Sequence, residues 1–154
     1  MKDRNLDNND NWATPDDFYD TLNREFNFQF DPCPLNPTFD GLSVDWKKRN
    51  YVNPPYSLKL KEAFVEKAVA ESKKGKLCVC LLPVSTSTRL FHEVVEPNAV
   101  EIRFVRGRIK FRGINTFGIE VANKCGMHDS MIVVFDGRTK IEKLWTKIKS
   151  VAML

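Results

Sequence analysis

Apolar residues recur along this chain with two periods, and the blocks alternate. Phe18, Leu22 and Phe26 fall at helical spacing behind Thr14 and Pro15, with Asp16 and Asp17 leading them. Proline fits a first helical turn and acids favour a helix N-terminus, so a helix is predicted from about residue 15 to 25, capped by Thr14. Phe28-Gln29-Phe30-Asp31 then alternates as a short strand. It stops there because Pro32 and Pro34 cannot donate to a ladder. Arg49-Asn50-Tyr51-Val52-Asn53 is a second strand, broken by Pro54-Pro55. Ser57 is placed to cap a helix whose Leu60, Ala63, Phe64, Ala68 and Val69 share one stripe, with Lys73 and Lys74 in its last turn and Gly75 at its stop. Leu77-Cys78-Val79-Cys80-Leu81-Leu82-Pro83 is continuously apolar, as a parallel strand buried on both faces would be. Strand, helix and strand together predict a βαβ crossover.

The second half continues with a helix near residues 87 to 95 and strands from Val100 to Val105 and Arg108 to Phe111, joined as a hairpin at Arg106-Gly107. No pattern marks Gly113 to Asp129. Met131 to Phe135 is another apolar strand, and Ile141, Leu144, Trp145 and Ile148 mark a closing amphipathic helix. The predicted fold is a three-layer α/β/α sandwich, Rossmann-like, with a mostly parallel sheet and an antiparallel hairpin near one edge.

Composition sets limits on this picture. The 154 residues, 42% hydrophobic and 29% charged, suit one domain from Trp12 to Leu154 behind a loose polar tail over residues 1 to 11. No apolar run approaches the roughly 20 residues that span a bilayer. The start is polar rather than signal-like, so a soluble cytoplasmic protein with no membrane partner is expected. The four cysteines form no CxxC pair, and Cys78 and Cys80 sit in an apolar run, as buried reduced thiols do. His92 and His128 lack ligand spacing, and no metal is expected.

A net charge of +4 is too mild to name a partner, but its distribution is informative. Arg103, Arg106, Arg108, Lys110 and Arg112 occur without an intervening acid. In a strand, Arg106, Arg108, Lys110 and Arg112 share one face, opposite Gly107, Ile109 and Phe111. Such a face either stays solvated and protects a sheet edge or contacts phosphates.

The sharpest feature is Asn53-Pro54-Pro55-Tyr56, where a predicted strand ends and a helix is about to begin. Ligands of open α/β sheets bind at the carboxyl ends of strands. The plain alternative is a rigid turn. Chemistry gives each residue a further reason. The lone pair of adenine's exocyclic amine is delocalised into the ring, and two hydrogen-bond acceptors can steer that nitrogen toward tetrahedral geometry. The side-chain oxygen of Asn53 and the main-chain carbonyl of Pro54 are two such acceptors. The paired prolines, Pro54 and Pro55, restrict φ and keep both fixed, while Tyr56 offers a ring for a base to stack on.

With these residues the chain resembles the small phage-type DNA N6-adenine methyltransferases that use S-adenosyl-L-methionine. Trp12-Ala13-Thr14-Pro15, Phe30-Asp31-Pro32-Cys33, Asp40-Gly41-Leu42 with Trp46, the tetrad, Leu81-Leu82-Pro83, Gly107-Arg108-Ile109-Lys110-Phe111 and Ser130 to Phe135 resemble that family's segments in order. The resemblance implies that Trp12, Thr14, Pro15, Asp31, Pro32 and Cys33 hold the cofactor, with Asp31 near its amino-acid end. It also implies an acid for the ribose hydroxyls, with Asp40 and Asp45 both candidates. One departure stands out: the stretch from Asp31 to Pro37 contains no glycine, where many methyltransferases carry a Gly-rich loop.

The expected function is therefore adenine N6-methylation of double-stranded DNA, with Arg103, Arg106, Arg108, Lys110 and Arg112 as the phosphate-contacting set. Two rivals share features of the sequence. One is a methyltransferase acting on RNA bases or protein glutamine through the same tetrad; the other is a catalytically silent DNA-binding module. A core that uses nearly all 154 residues leaves few loop contacts for base readout. A short recognition site or broad adenine methylation follows, unless a homodimer supplies more surface.

Overall fold

The computed structural model describes residues 12–114, 120–125 and 128–144. The expected tail over residues 1–11 lies outside them, as do Trp145 and Ile148 of the expected closing helix. Two sheets organise the chain. A four-stranded sheet has the order β2-β3-β7-β4, built from β2 (Arg49–Val52), β3 (Leu77–Pro83), β7 (Ser130–Asp136) and β4 (Glu101–Phe104). A smaller sheet has the order β1-β5-β6, from β1 (Trp12–Ala13), β5 (Lys110–Ile114) and β6 (Glu120–Cys125).

The βαβ crossover is present: β2 and β3 pair in parallel, Arg49 opposite Leu77 and Val52 opposite Cys80. Helix α2 (Leu58–Lys73) joins them and ends before Gly75, whose φ of 90° suits a residue without a side chain. The mostly parallel sheet is corrected, because β7 lies antiparallel between β3 and β4 and leaves one parallel pair of three. A continuously apolar strand signals burial on both faces, and that reads the same for either direction of its neighbour.

Strand parity divides the core. Cys78, Cys80, Leu82, Met131, Val133 and Phe135 face one cluster with Phe64, Val65, Ala68 and Val69 of α2. Leu77, Val79, Leu81, Ile132 and Val134 face the other, with Leu22 and Phe26 of helix α1 (Asp16–Phe26). At roughly 25 cal/mol per Å² of apolar surface, burial on both faces makes this sheet the main stabilising unit.

The expected hairpin at Arg106-Gly107 is not one. Ile102 pairs with Val133 and packs on the α2 side, whereas Ile109 and Phe111 are buried on the α1 side. The chain therefore crosses between sheets at Gly107, whose φ is 77°. The stretch without pattern holds β6, paired antiparallel with β5. The helix expected near residues 87 to 95 is a π-helix, Leu90–Val95, running into a turn of α-helix at Glu96–Asn98. Residues 140–144 are helical, but Ile141 and Leu144 are 68% and 57% exposed and do not join the core. No helix among the described residues is long and apolar enough to cross a membrane. Cys78 and Cys80 are buried free thiols, and Cys33 is half-buried.

Candidate active site

The tetrad begins where β2 ends, and its first side chain is held tightly. Asn53 is 7% exposed, and its Nδ2 donates to the Trp12 carbonyl at 2.8 Å and to Thr14 Oγ1 at 3.3 Å. A carbonyl only accepts, so the amide must turn its NH₂ toward Trp12. Oδ1 is left over, and it accepts no hydrogen bond among the described residues. Thr14 Oγ1 is in turn 2.5 Å from the hydroxyl of Tyr51, a side chain only 1% exposed.

These bonds correct the expected caps. Helix α1 starts at Asp16 with Pro15 at its N-cap and no side-chain cap, because the Thr14 hydroxyl is committed to Tyr51 and Asn53. Ser57 does occupy the N-cap of α2, yet its Oγ has no partner among the described residues. Pro15 still serves the first turn, its carbonyl accepting the Tyr19 amide at 3.0 Å.

Pro54 is buried, and its carbonyl accepts no hydrogen bond among the described residues. Tyr56 is half-buried, its ring edge-on to Phe111 at 5.8 Å and 89°. Burial pushes its hydroxyl up from the ordinary phenol range, so Tyr56 presents a neutral ring. Asn53 and Pro54 each keep a carbonyl acceptor unused among the described residues, and the Tyr56 ring follows two positions after Pro54.

Asn53 and Pro55 also line a cavity of about 220 Å³ with Trp12, Pro32, Cys33, Pro34, Pro37, Phe39, Asp40, Gly41 and Phe64. The glycine-free loop that forms its wall is shaped by side chains. Asp31 Oδ1 accepts the Cys33 amide at 2.8 Å, and Asp40 accepts the Leu42 amide at 3.0 Å and the Ser43 hydroxyl at 2.5 Å. Gly41 closes the loop: a methyl group there would run into the Pro32 carbonyl. Trp46, 3% exposed, donates Nε1 to the Gly41 carbonyl at 2.8 Å and acts as packing.

The two acids of this loop differ. Burial raises the Asp31 carboxyl to about 6, against the lowering effect of the Cys33 amide. Asp40 is exposed, and its hydrogen bonds from Ser43 and Leu42 hold it below the usual carboxylate range. Asp40 lines the cavity; Asp45, also exposed, does not. Burial likewise raises the Cys33 thiol, which stays protonated at neutral pH.

A family model described as DNA N-6-adenine-methyltransferase (Dam) matches residues 3–153, nearly the whole chain. The chain belongs to the DNA N-6-adenine-methyltransferase family. No curated protein matches it. The activity that membership carries is the general one, methylation of adenine N6 in DNA.

For a Dam-family enzyme the five cations are the first place to look for DNA, and the structure separates them. The Arg103 guanidinium forks onto Glu25 at 2.5 and 2.8 Å and onto Glu101 at 2.5 and 3.1 Å, and these bonds raise its pKa. It also lies 5.3 Å from the Phe26 ring, tying β4 to α1. Arg112 pairs with Asp16 at 2.7 Å, and Arg108 approaches Asp129 at 3.6 Å. Arg106 and Lys110 are exposed with no partner among the described residues. The predicted alternation holds from residue 108 to 111, with Arg108 and Lys110 outward and Ile109 and Phe111 buried.

The sequence did not single out Tyr51 or Phe39. Tyr51 looked like one more strand aromatic, and its only signal was a hydroxyl in an otherwise apolar strand. Phe39 sits in the loop without periodicity, where no pattern assigns a face.

Proposed function

We propose that this chain transfers the methyl group of S-adenosyl-L-methionine to N6 of an adenine flipped out of double-stranded DNA. The observation that carries the reading is the Asn53 amide, whose NH₂ is committed to Trp12 and Thr14 and whose Oδ1 is unused beside the cavity. When bound, the cofactor supplies an electrophilic methyl group on a sulfonium. Asn53 Oδ1 and the Pro54 carbonyl would accept the two N–H groups of the amine and hold its lone pair ready, with Tyr56 stacked on the base; the electrons of the broken S–C bond would stay with the donor's sulfur and the methylated amine would release one proton to solvent.

The cavity suits the cofactor in its donor set. Pro32, Pro34, Pro37 and Phe39 offer apolar walls, and Asp40 offers carboxylate oxygens for ribose hydroxyls. Asp31, flanking the wall through Pro32 and Cys33, is a half-buried carboxyl whose raised pKa a neighbouring ammonium would relieve. Trp12 lines the same space, whereas Thr14 and Pro15 do not. In this reading Asp40, rather than Asp45, serves the ribose. Arg106, Arg108 and Lys110 take DNA phosphates, while Arg103 and Arg112 serve mainly their ion pairs.

A methyl-labelled cofactor tests the reading. Offered duplex DNA, RNA and protein side by side, the enzyme is expected to label DNA alone and on adenine. Label in RNA or in glutamine would assign it to the rival methyltransferases, and no cofactor binding by calorimetry would make it a silent module.

A further inference from the structure

We infer that Tyr51 and Thr14 are positioning residues that act through Asn53, holding its side-chain amide in the one orientation that leaves Oδ1 unused. This rests on the methyltransferase reading and assigns work that the reading leaves open. An asparagine amide rotated by half a turn would present NH₂ to the substrate and repel an amine. Two contacts prevent that rotation, the bonds from Nδ2 to the Trp12 carbonyl at 2.8 Å and to Thr14 Oγ1 at 3.3 Å. The Thr14 hydroxyl is free to rotate by itself, and its partner is the Tyr51 hydroxyl at 2.5 Å. Tyr51 is 1% exposed and does not line the cavity, so it touches neither candidate ligand. Its ring is fixed by Tyr19 at 5.1 Å and Phe28 at 5.2 Å. The order therefore runs from a partly buried aromatic cluster through Tyr51 and Thr14 to the amide. Trp12 joins it through β1, which pairs with β5, Trp12 opposite Gly113.

Thr14 was expected to hold the cofactor, and the two roles predict different kinetics. Tyr51→Phe and Thr14→Val remove hydroxyls while keeping shape. In the positioning role each lowers kcat about tenfold to a hundredfold, as small misplacements of reacting groups do. The dissociation constant for S-adenosyl-L-methionine stays within about twofold. Thr14→Ser restores the hydroxyl and with it kcat. A loss of cofactor affinity at unchanged kcat, or unchanged kcat in both variants, overturns the inference.

A readout independent of turnover separates this test from the methyltransferase reading. In ¹⁵N-labelled protein the Asn53 side-chain NH₂ pair, assigned by its disappearance in Asn53→Ala, is expected to exchange slowly in the parent and at least tenfold faster in Tyr51→Phe. An unchanged exchange rate refutes the positioning role even in an active enzyme. If the parent transfers no methyl group to DNA, the reading of function fails while the exchange rates still decide whether the relay holds the amide.

Discussion

The tetrad and the basic stretch are both dense in polar side chains, yet they use them in opposite ways. At the tetrad, polar groups satisfy one another in a part-buried chain from Tyr51 to Thr14 to Asn53, and the chain ends in an acceptor unused among the described residues. Along the basic stretch, ion pairs consume Arg103 and Arg112, loosely engage Arg108, and leave Arg106 and Lys110 open to solvent. Internal bonding fixes the orientation of an amide in the first region and pairs off charge in the second. An availability judged from residue type alone misses both effects.

The largest effect expected from breaking this contrast is at Asn53. Asn53→Ala removes the acceptor proposed to act on the reacting amine, and kcat should fall by at least about a hundredfold, the scale seen when one electrostatic contact to a reacting group is lost. Steady-state kinetics on duplex DNA measures it, and a drop under about threefold would move the chemistry elsewhere. Next is Gly41→Ala. Its methyl must displace the Pro32 carbonyl, which should cost about 1–3 kcal/mol in thermal unfolding and weaken cofactor binding by deforming the cavity wall.

Asp31 is expected to show itself through pH. Its folded pKa of about 6 lies above the ordinary 3.8, so the folded state holds the proton more tightly than the unfolded state. Stability from this group is fully present below about pH 4 and is lost as pH rises through about 6. A shift of this size corresponds to at most about 3 kcal/mol, reduced by partial solvent access. Asp31→Asn should therefore stabilise the free protein at pH 7 and leave it unchanged at pH 3.5. If the carboxylate meets the cofactor's ammonium, affinity for S-adenosyl-L-methionine should rise from pH 5 to pH 7 in the parent and stay flat in the variant, as calorimetry would show.

The smallest effects separate the cations. Arg106→Ala with Lys110→Ala should reduce the salt slope of DNA binding by about 2, at close to 0.9 per phosphate contact. Arg103→Ala should leave that slope unchanged and lower stability by up to about 1 kcal/mol, since its pairs are part-exposed. Equal slopes in both variants would erase the distinction.

Much of this was legible in the sequence for identifiable reasons. Helical spacing behind a first-turn proline placed α1 to within a residue, although the cap assigned to Thr14 fell on Pro15, and a continuous apolar run placed β3 residue for residue. The tetrad and the N-terminal motif were legible because their residue types are chemically restrictive. Partners far apart in sequence were not. Ile102 and Ile109 look alike along the chain, yet they pack on opposite faces of the sheet, so the hairpin reading failed. The bond from Thr14 to Tyr51 spans 37 positions, and local preference favoured a cap instead. Asp40 and Asp45 were indistinguishable until the loop's closure at Gly41 put one of them on the cavity.

The most direct measurement of the central claim is the N6-methyladenine content of DNA from cells expressing the parent chain or Asn53→Ala, by mass spectrometry of digested nucleosides. The modified nucleoside should appear with the parent and fall to background with the variant at matched protein level. Equal amounts with both, or none with the parent, would contradict the assignment of Asn53 to the amine.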